Sequence, residues 1–333
     1  MSSDTLIPSA FVGDPDLQRL HSFFLAHNQF DGDTRWTFGT SLKSAYVNCF
    51  DFMNHTPLVQ LWTDTDGELQ AVSRLGLGPG EWFYQLKPDW RSSDQAKVVV
   101  EQANAAFELL SDHESWITAC YRSKTGEIDL LRGYGYAEDG ESEVFMTRGL
   151  DGPIEPASRP PGIEVGLLDQ TNTAQVAERG LAQVDAFSDG EPTTEAVAWI
   201  CRSLPHQISY GRPDTFPHVI AVDPEGSILS FADVYLDRTN RIGEFEPVGS
   251  RKSARLRGLA KAVLLRGLHE MQSAGMRHAT VRTGIDNAAA IASYESVGFN
   301  TVDHLIRFRK QRLTPKIATE QSVAEADGVI ESG

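Results

Sequence analysis

The sequence predicts an α/β (α+β) chain built from two tandem copies of one mixed strand-and-helix unit. Three observations carry this. Strand-like and helix-like patterns follow one another in the same order in both halves of the 333 residues, a length with room for two cores. Gly67 and Gly226 occupy matching turns, and Pro88 and Pro247 end matching strands, each pair 159 residues apart. Gly133-Tyr134-Gly135-Tyr136 is similar to Ser296-Val297-Gly298-Phe299 at a spacing of 163, a drift that one small loop difference explains. Recurrence at a fixed spacing marks an internal repeat.

The first copy spans residues 1–150. Residues 17–26 carry helical apolar spacing through Leu17, Leu20, Phe23 and Phe24. Residues 41–52 read as a further helix and 57–63 as a strand. The turn Asp64-Thr65-Asp66-Gly67 leads to strands 69–77 and 82–86. The glycines of loop 76–80 invite a dinucleotide reading. The segment after them is a strand and not a helix, so the loop reads as a hairpin turn. Helix 93–110, strand 116–121, helix 125–132 and strand 142–148 complete this copy.

Residues 151–162, rich in proline and glycine, read as a linker, and the second copy occupies 163–310. Strand 163–168 opens it. Helices 173–187 and 193–204 follow, the latter started by Glu191-Pro192-Thr193. Strands 218–222 and 228–236 form a hairpin around Asp223-Pro224-Glu225-Gly226. Strand 241–248 is central. A helix opens at Arg255 and runs to about Ala274, strand 278–283 comes next, and 307–310 ends the fold. Residues 311–333 are polar with little periodicity and are expected to be largely disordered.

Composition narrows the function. The chain is 41% hydrophobic with a formal charge of −16, which disfavours nucleic-acid binding and would attract cationic substrates. No apolar run approaches the roughly 20 residues of a membrane helix. Met1-Ser2-Ser3-Asp4-Thr5 lacks the basic and apolar regions of a signal peptide. Cys49, Cys120 and Cys201 are odd in number and far apart, which fits a reducing cytoplasm and no disulfide framework. The nine histidines form no metal-ligand spacing. No Gly-x-Ser-x-Gly or P-loop motif is present, so hydrolase and P-loop readings fall away.

Against the acidic background, residues 251–261 hold Arg251, Lys252, Arg255, Arg257 and Lys261 and no acidic residue. They fall on the turn before a helix, where unpaired amides and the helix dipole favour anions. Gly258 removes a Cβ where a phosphate would approach the backbone. The arrangement suits a pyrophosphate; an inert, solvated helix start is the alternative.

Arg255-x-x-Gly258-x-Ala260 matches the Gln/Arg-x-x-Gly-x-Gly/Ala signature of the GNAT superfamily of acetyl-CoA-dependent N-acetyltransferases. Asn287, Ala290 and Tyr294-Glu295-Ser296-Val297-Gly298-Phe299 resemble that family's closing motif. The resemblance covers residues 218–310 closely and reaches back to about 163. It implies a mixed, mostly antiparallel central sheet flanked by helices in each copy. The first copy is degenerate. At the positions of Arg255, Gly258, Asn287 and Tyr294 it carries Ala96, Val99, Lys124 and Leu131. It is expected to bind no CoA and to wall one side of the substrate cleft. Tandem domains with one degenerate copy resemble the mycothiol-synthase-like branch.

The resemblance also implies roles. Pro247, Val248 and Gly249 would pair with the pantetheine arm and polarise the acetyl carbonyl. Arg255, Leu256, Arg257, Gly258, Leu259 and Ala260 would hold the pyrophosphate, with Arg251 or Lys252 near the 3′-phosphate. Asn287 would bond pantetheine, with Ala290 in the same motif. Tyr294 matches the tyrosine near the CoA sulfur, and a phenol protonated at neutral pH can donate to a thiolate; a core tyrosine is the alternative. Glu244 and Glu246 share one face of the central strand. Either carboxylate could accept the amine's proton, Glu246 lying nearer the thioester. Orienting a cationic substrate, or facing solvent with no role, are the competing readings.

These features imply a cytoplasmic enzyme acetylating a primary amine of a small molecule. Direct transfer in a ternary complex is expected, since no cysteine lies near either motif. No metal, nucleic acid or membrane is expected, and the chain would be a monomer or homodimer. The acceptor stays open among aminoglycosides, polyamines, amino acids and thiol-cofactor amines. A CoA-responsive module without turnover, or transfer of a longer acyl group, are the alternative functions.

Overall fold

The computed structural model describes residues 6–12, 14–27, 59–75, 80–87, 94–110, 113–157, 160–211 and 216–312. The helix expected at 41–52, Cys49, Pro88, most of loop 76–80 and residues 313–333 lie outside the described residues.

The first copy runs β1 (Ile7–Ala10), α1 (Asp14–His27), β2 (Val59–Thr63), β3 (Leu69–Leu75), β4 (Trp82–Leu86), α2 (Asp94–Leu110), β5 (Ser115–Tyr121), α3 (Thr125–Gly133) and β6 (Ala137–Gly149). The second runs β7 (Glu164–Leu167), α4 (Thr173–Phe187), α5 (Thr194–Gly211), β8 (His218–Val222), β9 (Ile228–Asp237), β10 (Ile242–Ser250), α6 (Leu259–Ser273), β11 (His278–Gly284), α7 (Ala288–Glu295) and β12 (Asn300–Gln311). The repeat is visible in the starts of the elements. β3 and β9 begin 159 residues apart, and β5/β11, α3/α7 and β6/β12 each begin 163 apart.

Two sheets form, β1-β2-β3-β4 and β5-β12-β6-β11-β10-β9-β8-β7. A parallel bridge between Glu81 and Ile117 links them, with Ile117 N donating to Gly80 O at 2.8 Å. Gly80 must be glycine here. Its φ is +74°, and a Cβ would lie 2.3 Å from the Ser115 carbonyl oxygen. Read across the bridge, the strand order mirrors itself about the β12–β6 pair. Each copy's last strand leaves its own unit. β6 lies between β11 and β12, and β12 lies between β5 and β6, all antiparallel. The copies therefore share one sheet, which hydrophobic patterning alone does not reveal.

Each face is covered. β9 is buried along its whole length because α6 lies on one side and α4 with α5 on the other. Ala232, Val234 and Leu236 join the core beneath α6, while Ile228 and Phe231 meet α4 and α5. α4 is capped by Asn172, whose side chain accepts from the Ala174 and Gln175 amides. α1 reaches across to the second copy. Leu20, Phe23 and Phe24 form one cluster with Val59, Val72, Phe216 and Tyr235, and Asn240 Nδ2 donates to Leu25 O at 2.7 Å.

Three elements differ from expectation. β1 lacks a readable pattern and forms by pairing with β2. α5 continues past the expected end at Leu204, through Pro205 to Gly211. Pro247 does not end its strand but sits inside β10, where the β9 register shifts between Phe245 and Val248.

Candidate functional site

The site is built on a fork. β10 and β11 pair in parallel from Ile242↔His278 to Phe245↔Val281 and then part. Glu246, Pro247 and Val248 lie on one prong, and Arg282, Thr283 and Gly284 on the other. The bulge that frees this stretch of β10 from β9 lies at the same place, so backbone groups at the fork are available to a ligand.

Beyond β10 a 3₁₀ turn, Lys252–Ala254, leads to the loop 255–258. The sequence placed Arg255, Leu256 and Arg257 inside a helix, but α6 starts only at Leu259, with Gly258 as N-cap. Leu256 and Gly258 have φ of +60° and +77°. This alternation turns successive amides to one side, an anion-binding nest. The first bond into the helix is Ala262 N to Gly258 O. Among the described residues, the amides from Leu256 to Lys261 have no backbone acceptor. That row, at the positive end of a helix dipole, fits a pyrophosphate.

The basic side chains do not form a free cationic patch. Arg251 pairs with Glu178 at 2.7 Å and donates to Ile228 O. The Lys252 ammonium donates to Gly190 O and its amide to Asp185. Arg255 donates to Ala186 O at 2.9 Å, and Lys261 pairs with Glu155 at 2.9 Å. The acidic partners come from α4 and the linker, distant in sequence. Their effect is to tie the loop to α4, which leaves the amide row and the exposed Arg257 as the open groups of the loop. The sequence-expected contact of Arg251 or Lys252 with a 3′-phosphate finds both side chains already engaged.

The other expected site residues fall around the fork. Leu259 is buried in the core, so only its backbone faces the cradle, and Ala260 is half-buried. Gly249 is needed for packing, since a Cβ would meet Phe231 at 2.5 Å. Asn287 caps α7, its Oδ1 accepting from Ala290 N at 3.1 Å, which leaves the side-chain NH₂ to point outward as donor. Tyr294 is 5% exposed at the C-terminal end of α7, with its ring edge-on to Phe299. Burial, and then the carboxylate of Glu246, push its phenol well above the ordinary value of 10. Phe299 in turn lies against Phe245, the last β10 residue before the fork, so Tyr294 sits beside the fork and feels the Glu246 charge.

Glu244 is 4% exposed, which rules out a solvent-facing role for it, and Glu246 is half-buried. Phe245 packs towards α6, against Gly267. The alternation of the strand then turns Glu244 to the opposite face, level with Tyr235 and Thr280. On that face lies a charged cluster that sequence reasoning missed. Arg282 pairs with Glu143 of β6 at 3.2 Å. Burial opposes its charge, but Glu143, Tyr121, Glu244 and Glu246 together outweigh burial and hold the guanidinium protonated. Tyr121 of β5 is pushed up to about 12 by burial, against Arg282 and with Glu143 and Glu244. Glu143 and Tyr121 belong to the first copy and arrive through the exchanged strands, a placement no local pattern signals. Arg282 was readable, standing two residues from Thr280 on the same face.

Among the described residues the first copy shows no such cradle. Ala96 and Val99, in the positions of Arg255 and Gly258, are fully buried in a helix that starts already at Asp94. Leu131, in the position of Tyr294, is core.

Residues 183–299 match the family model described as the acetyltransferase (GNAT) family. That stretch is similar to the GNAT family. The chain is 26% identical over 234 residues to a mycothiol acetyltransferase from Arthrobacter sp. (strain FB24), spanning 68% of each chain. It is 30% identical over 87 residues to a mycothiol acetyltransferase from Streptomyces coelicolor, a match that spans 28% of that relative. A tandem GNAT protein from the clavulanic acid biosynthesis pathway has the same fold, with a TM-score of 0.64 at 14% identity, over 92% of this chain and 98% of that one. Among the described residues no helix is long and apolar enough to cross a membrane, and no group of three metal-ligating side chains occurs.

Proposed function

We propose that this protein transfers acetyl from acetyl-CoA to a primary amine of a small molecule, directly and with both bound at the β10–β11 fork. The amide row from Leu256 to Lys261 would hold the pyrophosphate. The open backbone of Pro247, Val248 and Gly249 would pair with pantetheine, and the Asn287 NH₂ would add a donor. An N–H of this prong would polarise the thioester carbonyl.

The amine nitrogen forms the new C–N bond as the C–S bond breaks. Glu246 takes the proton the nitrogen loses, with Glu244 behind it, and Tyr294 gives its phenolic proton to the departing thiolate. The observation that carries this reading is a buried Tyr294, packed through Phe299 on Phe245 at the fork and held protonated by burial and by the Glu246 charge. The relatives named mycothiol acetyltransferases support a small-molecule acceptor. Strand exchange within one chain supports a monomer.

The test is calorimetric titration of acetyl-CoA into wild type and Gly258→Glu, followed by an assay of CoA thiol release over an amine panel. Binding by wild type and loss in the variant, with turnover on some amine, is expected. Absence of binding by wild type would overturn the proposal. Binding without turnover on any amine would leave a CoA-responsive module instead.

A further inference from the structure

A second feature on the same face belongs to the first copy and has no part in the roles above. α1, β2, β3 and β4 line a half-open recess. Leu20, Phe24, Val59, Val72 and Phe83 make it apolar, and one charge, Arg74, enters it. Arg74 stands opposite Phe83 in the β3–β4 ladder, its guanidinium 4.6 Å from the ring centroid. Among the described residues this guanidinium makes no hydrogen bond and no ion pair. Burial, then repulsion from Arg282, outweigh the pull of Glu81 and lower its pKa to about 10. Among the described residues this half-buried cation, with five donors, an aromatic face and a like-charged neighbour, has no anion in hydrogen-bond contact.

Tyr235 connects the recess to the fork, since it packs with Leu20, Phe24, Val59 and Val72 and stands opposite Glu244 in the β9–β10 ladder. Arg282 is the charge that repels Arg74, and it is also the charge held by Glu143, Glu244 and Glu246. The face thus runs from a carboxylate-rich end at the fork to an unpaired guanidinium in an apolar hollow. A cation suits the first end and an anion the second.

We infer that the acceptor is a zwitterion, an amine carried on an apolar body that ends in a carboxylate, with the amine at Glu246 and the carboxylate on Arg74. This rests on the proposed function and adds the acceptor class. The body would lie along Phe83 and Val72, and the acid would take the charge-assisted hydrogen bonds that Arg74 lacks. The degenerate copy, which has no CoA cradle, would then supply specificity.

Two measurements test this. The first compares KM for ω-aminocarboxylic acids, from short to long chains, with KM for their neutral primary amides. Wild type should favour the acid at the matching length by roughly 10- to 100-fold, the effect of charged hydrogen bonds. Arg74→Gln should erase the preference, and Arg74→Lys should restore part of it. Equal KM for acid and amide, or a preference that survives Arg74→Gln, would overturn the inference. The second needs no turnover. 4-Phenylbutyrate should raise the melting temperature of wild type and not of Arg74→Gln, with 4-phenylbutyramide inert in both. A carboxylate that stabilises no better than its amide overturns the inference even if amines are acetylated. Failed acetyl-CoA binding with this difference intact overturns only the proposed function.

Discussion

Tyr294 packs edge-on to Phe299, whose ring lies against Phe245 where β10 and β11 part, and the Glu246 carboxylate adds to burial in keeping the phenol protonated. In the proposed mechanism Glu246 and Tyr294, 48 positions apart in sequence, accept and donate protons at this fork. Tyr294→Phe is expected to lower kcat by about 10²- to 10⁴-fold, the range of general acid catalysis. Acetyl-CoA affinity should hold, because the hydroxyl is not part of the amide row. Any alkaline decline of kcat set by Tyr294 should lie above pH 10, the ordinary value from which it is raised. Steady-state kinetics across pH, with calorimetry on both proteins, checks all three.

The cradle yields a contrast between backbone and side chain. Arg251→Ala removes a pair with Glu178 and not a ligand contact. Acetyl-CoA affinity should fall by less than about tenfold, the scale of a partly exposed ion pair. Gly258→Ala, by contrast, strains a residue at φ +77° and should disturb the nest itself, with the larger loss of affinity. Calorimetric titration of both variants ranks them; a larger loss in Arg251→Ala would return phosphate binding to the side chains.

Much of this was legible in the sequence, for identifiable reasons. The second copy's strands show period-two burial or continuous apolar runs, and its helices carry clean starts such as Asn172. The 159 and 163 spacings register the repeat because both copies keep the same turns. The exchange of β6 and β12 was not legible. Each strand has the same pattern whether it pairs with its own unit or with the other, and partner choice depends on sheet geometry. The charged cluster of Tyr121, Glu143 and Arg282 was missed for that reason. The basic run misled because its partners, Glu178, Asp185 and Glu155, lie outside it in sequence.

Arg179 and Asp233 form a fully buried pair at 2.7 Å, with the guanidinium 3.5 Å from the Phe231 ring centroid and His218 2.8 Å from the carboxylate. Burial alone would raise Asp233, but Arg179 and His218 hold it below its ordinary 3.8. Arg179→Ala leaves the buried Asp233 charge with His218 as its one remaining partner among the described residues and should cost up to about 3–5 kcal/mol in urea unfolding. A depressed carboxylate contributes stability that is present above its unfolded value of 3.8 and is lost as pH falls through the lower native value. Asp233→Asn should therefore flatten the loss of stability below about pH 4.

Glycines at helix–sheet contacts should differ according to what they meet. A Cβ at Gly267 would lie 2.4 Å from the Phe245 ring, and one at Gly243 would lie 2.5 Å from Met271 Sδ. The ring cannot bend away, whereas methionine re-packs readily. Gly267→Ala should cost about 1–3 kcal/mol as overpacking, and Gly243→Ala clearly less. Denaturant melts of the two variants check the order; equal costs would mean that Phe245 has room to move.

Strand exchange sets what the second copy can do alone. In a fragment of residues 151–333, β11 loses its partner over the seven pairs from His278↔Gly149 to Gly284↔Glu143. β12 loses β5 on one side and β6 on the other. Such unpaired edges recruit another chain, and the equivalent partner is available in a second fragment. The expected soluble form is therefore a homodimer in which two copies of β12 pair as β12 and β6 do here, with aggregation as the competing fate. Sedimentation of the fragment measures this directly. A monomer that melts like the whole protein would show that the second copy closes its own sheet, and that the exchanged strands are not what joins the halves.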